Sequence, residues 1–382
     1  MARVAIVGAG VTKFGRSPKT GMELLAEASL DALMEAEMTP KDIQAIYVGN
    51  FIGELTERQA HMGPMAASAL GIPGVPAVRV ENACASGGTA LRTAFRDVAA
   101  GYHDVALVAG TERVLQKSTA ENTEYFATAG DAYYESAAGI TFPGHYALVA
   151  RAHMLKHGTT LEHLGHVAVK NHKHGAKNPK AQIQKEIAIE DAMKSAPVAD
   201  PLRLYDCCPF SDGAAALLVV SEKVAKECDA PVWIAGSGQA TEALDIADRP
   251  DPSRIRSTEW AAKQAYQQAK AEPKEIDVVE VHDCFTIAEV AALEGLGFFP
   301  AGKGGPAAMQ GETYVGGRIP TNPSGGLKSK GHPIGATGVA QAAEIVNQLR
   351  GKSTNQVKGA EIGMTHNVGG SGGTAVVHIF RR

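Results

Sequence analysis

Four short segments of this chain set a reactive side chain at a turn. In Asn82-Ala83-Cys84-Ala85-Ser86-Gly87-Gly88, a cysteine stands between a strand-like run, PAVRV, and a helix-like run, TALRTAFRDV. A thiol at a helix N-terminus faces unpaired backbone N–H groups and the positive end of the helix dipole, which predicts a stabilised thiolate. Such help matters because a free cysteine, of pKa about 8.5, is only slightly ionised at neutral pH. In Gly331-His332-Pro333-Ile334-Gly335-Ala336-Thr337-Gly338, a histidine between glycines offers a base near neutral pH on a backbone that a ligand can approach closely. His282-Asp283-Cys284-Phe285 follows VVEV, and His366-Asn367-Val368-Gly369-Gly370-Ser371-Gly372-Gly373 follows EIGMT. Both lie where a strand ends, the side of an α/β sheet on which sites form. Taken singly, each segment also fits a plainer role: a small cysteine packed where helix meets sheet, a loop histidine, a glycine turn.

The elements that must position these residues repeat in order. VAIVGAG, AIYVGNFIG, ACASGGTALRTAFRDVAAG and DVALVAGTE in the first part of the chain are echoed by VWIAGSGQA, DVVEVHDCF, SGGLKSKGHPIGATGVAQAAEIV and EIGMTHNVGGSGGTAVVHIF in the second. Two similar α/β halves follow, residues 1–230 and 231–382, and a pseudo-twofold between them would bring the Cys84 and His332 turns together. Apolar runs bounded by glycine suit buried strands, while 22–36 and 340–349 carry apolar residues at helical spacing. Strands alternating with helices predict right-handed crossovers and a mostly parallel sheet covered by helices. Between about 114 and 200 lies an inserted loop region with its own helix, where Leu161, Leu164, Val167 and Ala168 share a face, before a closing strand at 214–220.

Composition narrows the class. The 382 residues exceed the usual size of one core, and 45% hydrophobic, 20% charged and 42 glycines fit an α/β protein rich in tight turns. A net charge of -4 gives no footprint for nucleic acid or an anionic membrane. No run approaches a membrane span and the start enters a strand pattern directly, so a cytoplasmic location is expected. The five cysteines, without CxxC spacing, argue against a disulfide framework and against a zinc site. VAIVGAGVTKFG resembles half of a dinucleotide fingerprint, but Lys13 occupies the place of the third glycine. The crowded histidines at 145, 153, 157, 163, 166, 172 and 174 include no HExxH-like pair and are read as solvated or loop residues rather than metal ligands. Cys207-Cys208 is read as buried and structural.

NACASGG, HDCF, NPSGGLKSKGHPIGATG and HNVGGSGG, in this order along nearly the whole chain, resemble the thiolase superfamily. HDCF with KNHKHGAKNP (170–179) is similar to its archaeal acetoacetyl-CoA and sterol-carrier-protein type branches. The common members place an asparagine in the strand-end motif and a second catalytic cysteine in the final glycine loop. Here His282 and either His366 or Asn367 stand near those places. The resemblance implies a five-layered αβαβα thiolase fold and an acetyl-CoA C-acetyltransferase, condensing two acetyl-CoA to acetoacetyl-CoA and coenzyme A, reversibly, and feeding the mevalonate pathway. Coenzyme A thioesters are substrates, and no cofactor is implied. Cys84 takes the acyl group, His332 is its base, and Cys284 is the acid/base acting on the second acetyl-CoA. His332 and His282 face the enolate oxygen, while backbone N–H groups of Cys84 and Gly369, with Gly370 adjacent, form the oxyanion site. His145, Ser324, Gly325 and Asn367 are the implied substrate contacts. A homodimer or homotetramer is implied, as is a complex with 3-hydroxy-3-methylglutaryl-CoA synthase bridged by an OB-fold protein. The alternatives are a degradative 3-ketoacyl-CoA thiolase for longer or steroid-derived chains, a ketoacyl- or hydroxymethylglutaryl-type synthase, and a non-catalytic scaffold subunit.

Overall fold

A computed structural model describes residues 2–382. The strands are β1 (Val4–Val11), β2 (Ala45–Gly49), β3 (Ala77–Val80), β4 (Val105–Glu112), β5 (Pro197–Ala199), β6 (Leu202–Arg203), β7 (Gly213–Ser221), β8 (Val232–Thr241), β9 (Val278–Glu280), β10 (Ile362–Gly369) and β11 (Thr374–Arg381). The helices that matter for the site are α1 (Gly21–Glu35), α2 (Ser86–Ala99), α3 (Phe142–His157), α4 (Leu161–Gly175), α5 (Arg256–Ala269), α6 (Thr286–Gly295) and α7 (Ile334–Arg350).

Nine strands form one sheet in the order β3-β2-β4-β7-β1-β8-β11-β10-β9. Its two arms meet where β1 pairs with β8 through Ala5–Trp233 and Ile6–Val232. Reading outward from this seam, β1-β7-β4-β2 matches β8-β11-β10-β9, so the repeat seen in the sequence is a repeat of strand order. Alternation along each strand sends side chains to opposite faces and builds separate cores. Val4 and Ile6 of β1 join Leu217 and Val219 of β7 on the inner face, against Leu91 and Phe95 of α2 and Val339 and Val346 of α7. Ala5 and Val7 face the other way, onto Leu25 and Ala28 of α1. In the second arm, Val279 and Val377 pack outward on Ala261 and Ala265 of α5. The layers are therefore helix, sheet, central helix pair, sheet, helix.

The expectation of a mostly parallel sheet is corrected. Only β2 with β3 and β4, and β9 with β10, run parallel; β4, β7, β1, β8, β11 and β10 pair antiparallel in turn. The long segment after β4 returns β7 against it, and the glycine turn at 370–373 folds β11 back as a hairpin on β10. The inserted segment is also less loop-like than its composition suggests, since α3, α4 and the small β5–β6 ladder lie within or beside it.

Two glycine signals resolve into packing. A Cβ on Gly8 or Gly10 would come within 2.1 Å of a carbonyl oxygen of α1, so these residues of the VGAG run let helix and strand approach rather than cradle a phosphate. The histidines of the insertion are mostly internal, not solvated: His153 pairs with Thr159 and Glu294, His172 with the Lys185 carbonyl and His174 with the Asn322 carbonyl.

Candidate active site

Cys84 sits on a sharp elbow between β3 and α2. Ala83 is held at a φ of 47°, a left-handed conformation uncommon for a residue with a Cβ, and its neighbours over-determine it. The Ser86 hydroxyl donates to the Ala83 carbonyl at 2.6 Å and accepts from the Asn82 amide at 2.9 Å. At the matching position in the second half, Gly331 has a φ of 110° and a Cβ there would meet the Ser211 hydroxyl at 2.5 Å; that hydroxyl accepts the His332 amide at 2.9 Å. The two helices these turns lead into cross at bare backbone. A Cβ on Gly87 would lie 2.7 Å from the Gly335 carbonyl oxygen, and one on Gly335 would lie 2.5 Å from that of Gly49. Glu112, at the end of β4, pins the junction by accepting from the amides of Phe51, Ile52 and Gly335 and from the Asn50 side chain.

The sulfur of Cys84 and a ring nitrogen each of His282 and His332 lie within 4.8 Å of one another. The two imidazoles meet edge to face, 5.0 Å apart at 82°. Hydrogen bonds fix their tautomers, and fix them oppositely. Thr337 donates its one hydroxyl proton to the Pro333 carbonyl at 2.9 Å, so at 2.6 Å from His332 Nδ1 it accepts; Nδ1 carries the proton and Nε2 keeps its lone pair. Asn367 accepts the Gly88 amide with Oδ1, which orients its Nδ2 to donate to the Cys84 carbonyl at 2.9 Å and to His282 Nδ1 at 3.2 Å. His282 therefore holds its proton on Nε2, which is buried and has no protein partner. One histidine presents a base, the other a donor. By distance these three atoms could hold a metal ion, but an Nε2 that already carries the proton is the wrong tautomer for a ligand.

Burial sets the protonation states. The Cys84 thiol is pushed up to about 12, chiefly by desolvation, although the backbone N–H groups of Gly370 and of Cys84 itself face the sulfur and work the other way. Desolvation takes His332 down to about 3. The expected resting thiolate is thus replaced by a neutral thiol beside a neutral imidazole, because loss of water outweighs the helix terminus. The second expected donor moves by one residue. Gly369 is in the β10–β11 ladder opposite Thr374, whereas Gly370, at a φ of 62°, turns its amide towards Cys84.

Cys284 enters the same cavity from the turn between β9 and α6, and burial raises its thiol well above the ordinary range. Its turn is fastened by Asp283, whose carboxylate accepts from the Leu327 amide at 2.7 Å, the Lys328 amide at 3.3 Å and the Asn171 side chain at 2.7 Å. Asn171 also donates to Glu289 at 2.8 Å, and Lys170 pairs with the same carboxylate. This explains the joint appearance of KNHKHGAKNP and HDCF in one sequence: the first segment, on α4, holds the second in place.

The cavity has a volume of about 370 Å³, and Phe51, Phe126, Phe142, Tyr146, Phe210 and Phe285 supply its aromatic walls. Cys207 and Cys208, which pack against the core beside it, line the cavity too. Three of the implied substrate contacts lie elsewhere. His145 Nε2 is 3.0 Å from Glu135, Ser324 gives its hydroxyl to Glu280 at 2.7 Å, and Gly325 is pressed against Gly175. Asn367 is spent on Gly88, Cys84 and His282, and His366 on Thr258. Tyr146, next to His145, faces the cavity instead; the FPGHYAL segment contained it, but only the phase of α3 shows which residue turns inward.

The sequence matches the family description "Thiolase, N-terminal domain" over residues 4–223 and "Thiolase C-terminal domain-like" over 238–382. The chain belongs to the thiolase family. It is 48% identical to the acetyl-CoA acetyltransferase of Methanothermobacter thermautotrophicus, over 100% of both chains. It is 35% identical to sterol carrier protein 2 of Bos taurus, over 99% of this chain and 72% of that one. Among solved structures it is similar to the Ltp2-ChsH2(DUF35) aldolase, with a TM-score of 0.88 and 27% identity over 99% of this chain and 97% of the other. The resemblance to the archaeal and sterol-carrier branches is thus shown. Among the described residues, no helix is long and apolar enough to cross a membrane.

Proposed function

We propose that the chain is an acetyl-CoA C-acetyltransferase, in which residues 1–230 supply the nucleophile and one oxyanion donor, and residues 231–382 the base, the other oxyanion donor and the second thiol. The observation that carries this reading is the pair of oppositely protonated histidines beside Cys84, with a further thiol in the same cavity. As an acetyl thioester is attacked, the Cys84 proton passes to His332 Nε2 and the sulfur bonds to the carbonyl carbon. The developing oxyanion is met by the amides of Cys84 and Gly370, each donor lowering the barrier by roughly 3–4 kcal/mol. Coenzyme A leaves as a thiolate and takes the proton of Cys284. His332 stays protonated and Cys284 becomes the thiolate that removes a methyl proton from a second acetyl-CoA. His332 Nε2–H and His282 Nε2–H then face the enolate oxygen. The enolate carbon attacks the acetyl-Cys84 carbonyl, the Cys84 sulfur departs, and it recovers its proton from His332.

Intact-mass measurement after addition of acetyl-CoA tests the first half, with an acetyl adduct on Cys84 expected. Cys284→Ala should still form that adduct and lose condensation by about 100-fold or more; unchanged condensation would remove Cys284 from the reaction. No adduct in the native protein would favour the scaffold reading.

A second reading, thiolysis of longer 3-ketoacyl-CoA, is favoured by the aromatic cavity, which is larger than an acetyl group needs. Thiolysis rates on acetoacetyl-CoA and on a long-chain substrate separate the two. A homo-oligomer is supported by β3, which ends the sheet as an edge with Val78 exposed. A bridged complex with 3-hydroxy-3-methylglutaryl-CoA synthase is supported by the aldolase relative, whose name joins it to a DUF35 protein. Co-purification from the native host tests it, and recovery of this chain alone counts against it.

A further inference from the structure

Tyr146 is not among the residues singled out in the sequence, although its neighbour His145 is. Its side chain is buried and lines the cavity, with its ring stacked on Phe285 at 4.6 Å and 25°. The hydroxyl donates to the Gly370 carbonyl at 3.1 Å. The same hydroxyl adjoins the Cys284 thiol. It thus stands between two things the reaction needs: the peptide whose N–H faces Cys84, and the sulfur that must alternate between thiol and thiolate. The ionisable groups facing Cys284 include Cys208, Cys84, Tyr146 and Asp283, and those facing Tyr146 include Cys84 and Arg249. The imidazolium of His332 lies across the cavity, and the Tyr146 hydroxyl proton, beside the sulfur itself, is a second means of stabilising a thiolate there.

We propose that Tyr146 is a positioning residue with a two-place proton: its O–H is given to the Gly370 carbonyl while Cys284 is a thiol, and turns to the Cys284 sulfur when that sulfur is a thiolate. This rests on the reading of Cys284 as the acid/base. No covalent bond changes at the phenol. When Cys284 gives its proton to departing coenzyme A, rotation about the C–O bond redirects the O–H; when Cys284 takes the methyl proton, the O–H returns to Gly370. Burial raises the phenol well above its usual range, so it stays protonated throughout the working pH. The Phe285 stack holds the ring still while the hydroxyl turns.

The test is exchange of the methyl protons of acetyl-CoA with deuterated solvent, alongside acetylation of Cys84 followed by mass. Tyr146→Phe keeps the ring and its stack and removes only the hydroxyl. The expected result is exchange slowed roughly 10- to 100-fold, with its rising limb moved about one pH unit upward, and acetylation slowed far less. Equal slowing of both reactions, or an unmoved limb, overturns the proposal. Site-specific 3-fluorotyrosine at 146 supplies an arm that does not depend on how the Phe variant folds. A more acidic phenol should move the limb downward, and no movement is again an overturning result. Cys284→Ala separates the two readings: if it exchanges like the native protein, the acid/base assignment falls; if it loses exchange while Tyr146→Phe keeps it, only the role of Tyr146 falls.

Discussion

Thr337 has one hydroxyl proton, and the Pro333 carbonyl takes it; this is what makes Nε2 of His332 the basic nitrogen. Thr337→Val removes the acceptor for Nδ1–H and lets the ring adopt the other tautomer. Acylation of Cys84 should slow by about tenfold or more, while Thr337→Ser should stay near the native rate. Single-turnover acylation compared among the three checks this, and a Val variant as fast as Ser would show that the tautomer is set elsewhere. At this scale the sequence was informative wherever punctuation was strong. Glycine after Cys84, and glycine with proline around His332, marked two of the turns, while Cys284 was placed only by following a strand-like run; strand ends are where reactive groups gather. It was uninformative where one residue of phase decides. Gly369 and Gly370 differ in identity not at all, and only the backbone angles show which amide leaves the ladder. His145 was the implied contact, yet a helix turns about 100° per residue, so Tyr146 faces the cavity while the nearby Glu135 claims the histidine.

The central helix α7 reaches α2 and the ends of β2 and β4 through glycine, which makes its seat fragile. Gly335→Ala would place a methyl 2.5 Å from the Gly49 carbonyl oxygen, against backbone that cannot swing aside. Overpacking of this kind costs about 1–3 kcal/mol. Because the strain falls two residues from Pro333 and three from His332, the expected outcome is a lowered urea midpoint together with a loss of acylation rate. A lowered midpoint with native acylation would mean that His332 is positioned independently of the seat of α7 on these strand ends. Element order and the repeat could be read from the apolar runs, since strand and helix periods are local properties. Strand direction could not. Whether β7 enters parallel or antiparallel depends on the path of the insertion, and the partnership of α4 with the Asp283 turn depends on Asn171 reaching across more than a hundred residues of chain.

For the molecule as a whole, burial of histidine has a pH consequence. His172 is taken down to about 4, and His174, His332, His366 and His378 to about 3, with His282 also lowered, desolvation being the main cause each time. These groups bind fewer protons folded than unfolded, so stability is present above the unfolded value near 6.5 and is lost as pH falls below it, at up to about 1.4 kcal/mol per pH unit for each. Glu112 and Asp283, raised by burial to about 7, act oppositely between pH 7 and 4, but they are outnumbered. The urea midpoint should therefore be clearly lower at pH 5 than at pH 7, and equal midpoints would contradict the buried-neutral assignment. The seam between β1 and β8 bears on a different moment in the protein's life. Ribosomal synthesis delivers Cys84 some 250 residues before His332. Until the second arm of the sheet docks along that seam, the nascent chain carries a thiol without its base and without the Gly370 amide. A chain that has not yet reached the second arm therefore lacks the assembled site, which comes together only when the two arms close along the seam.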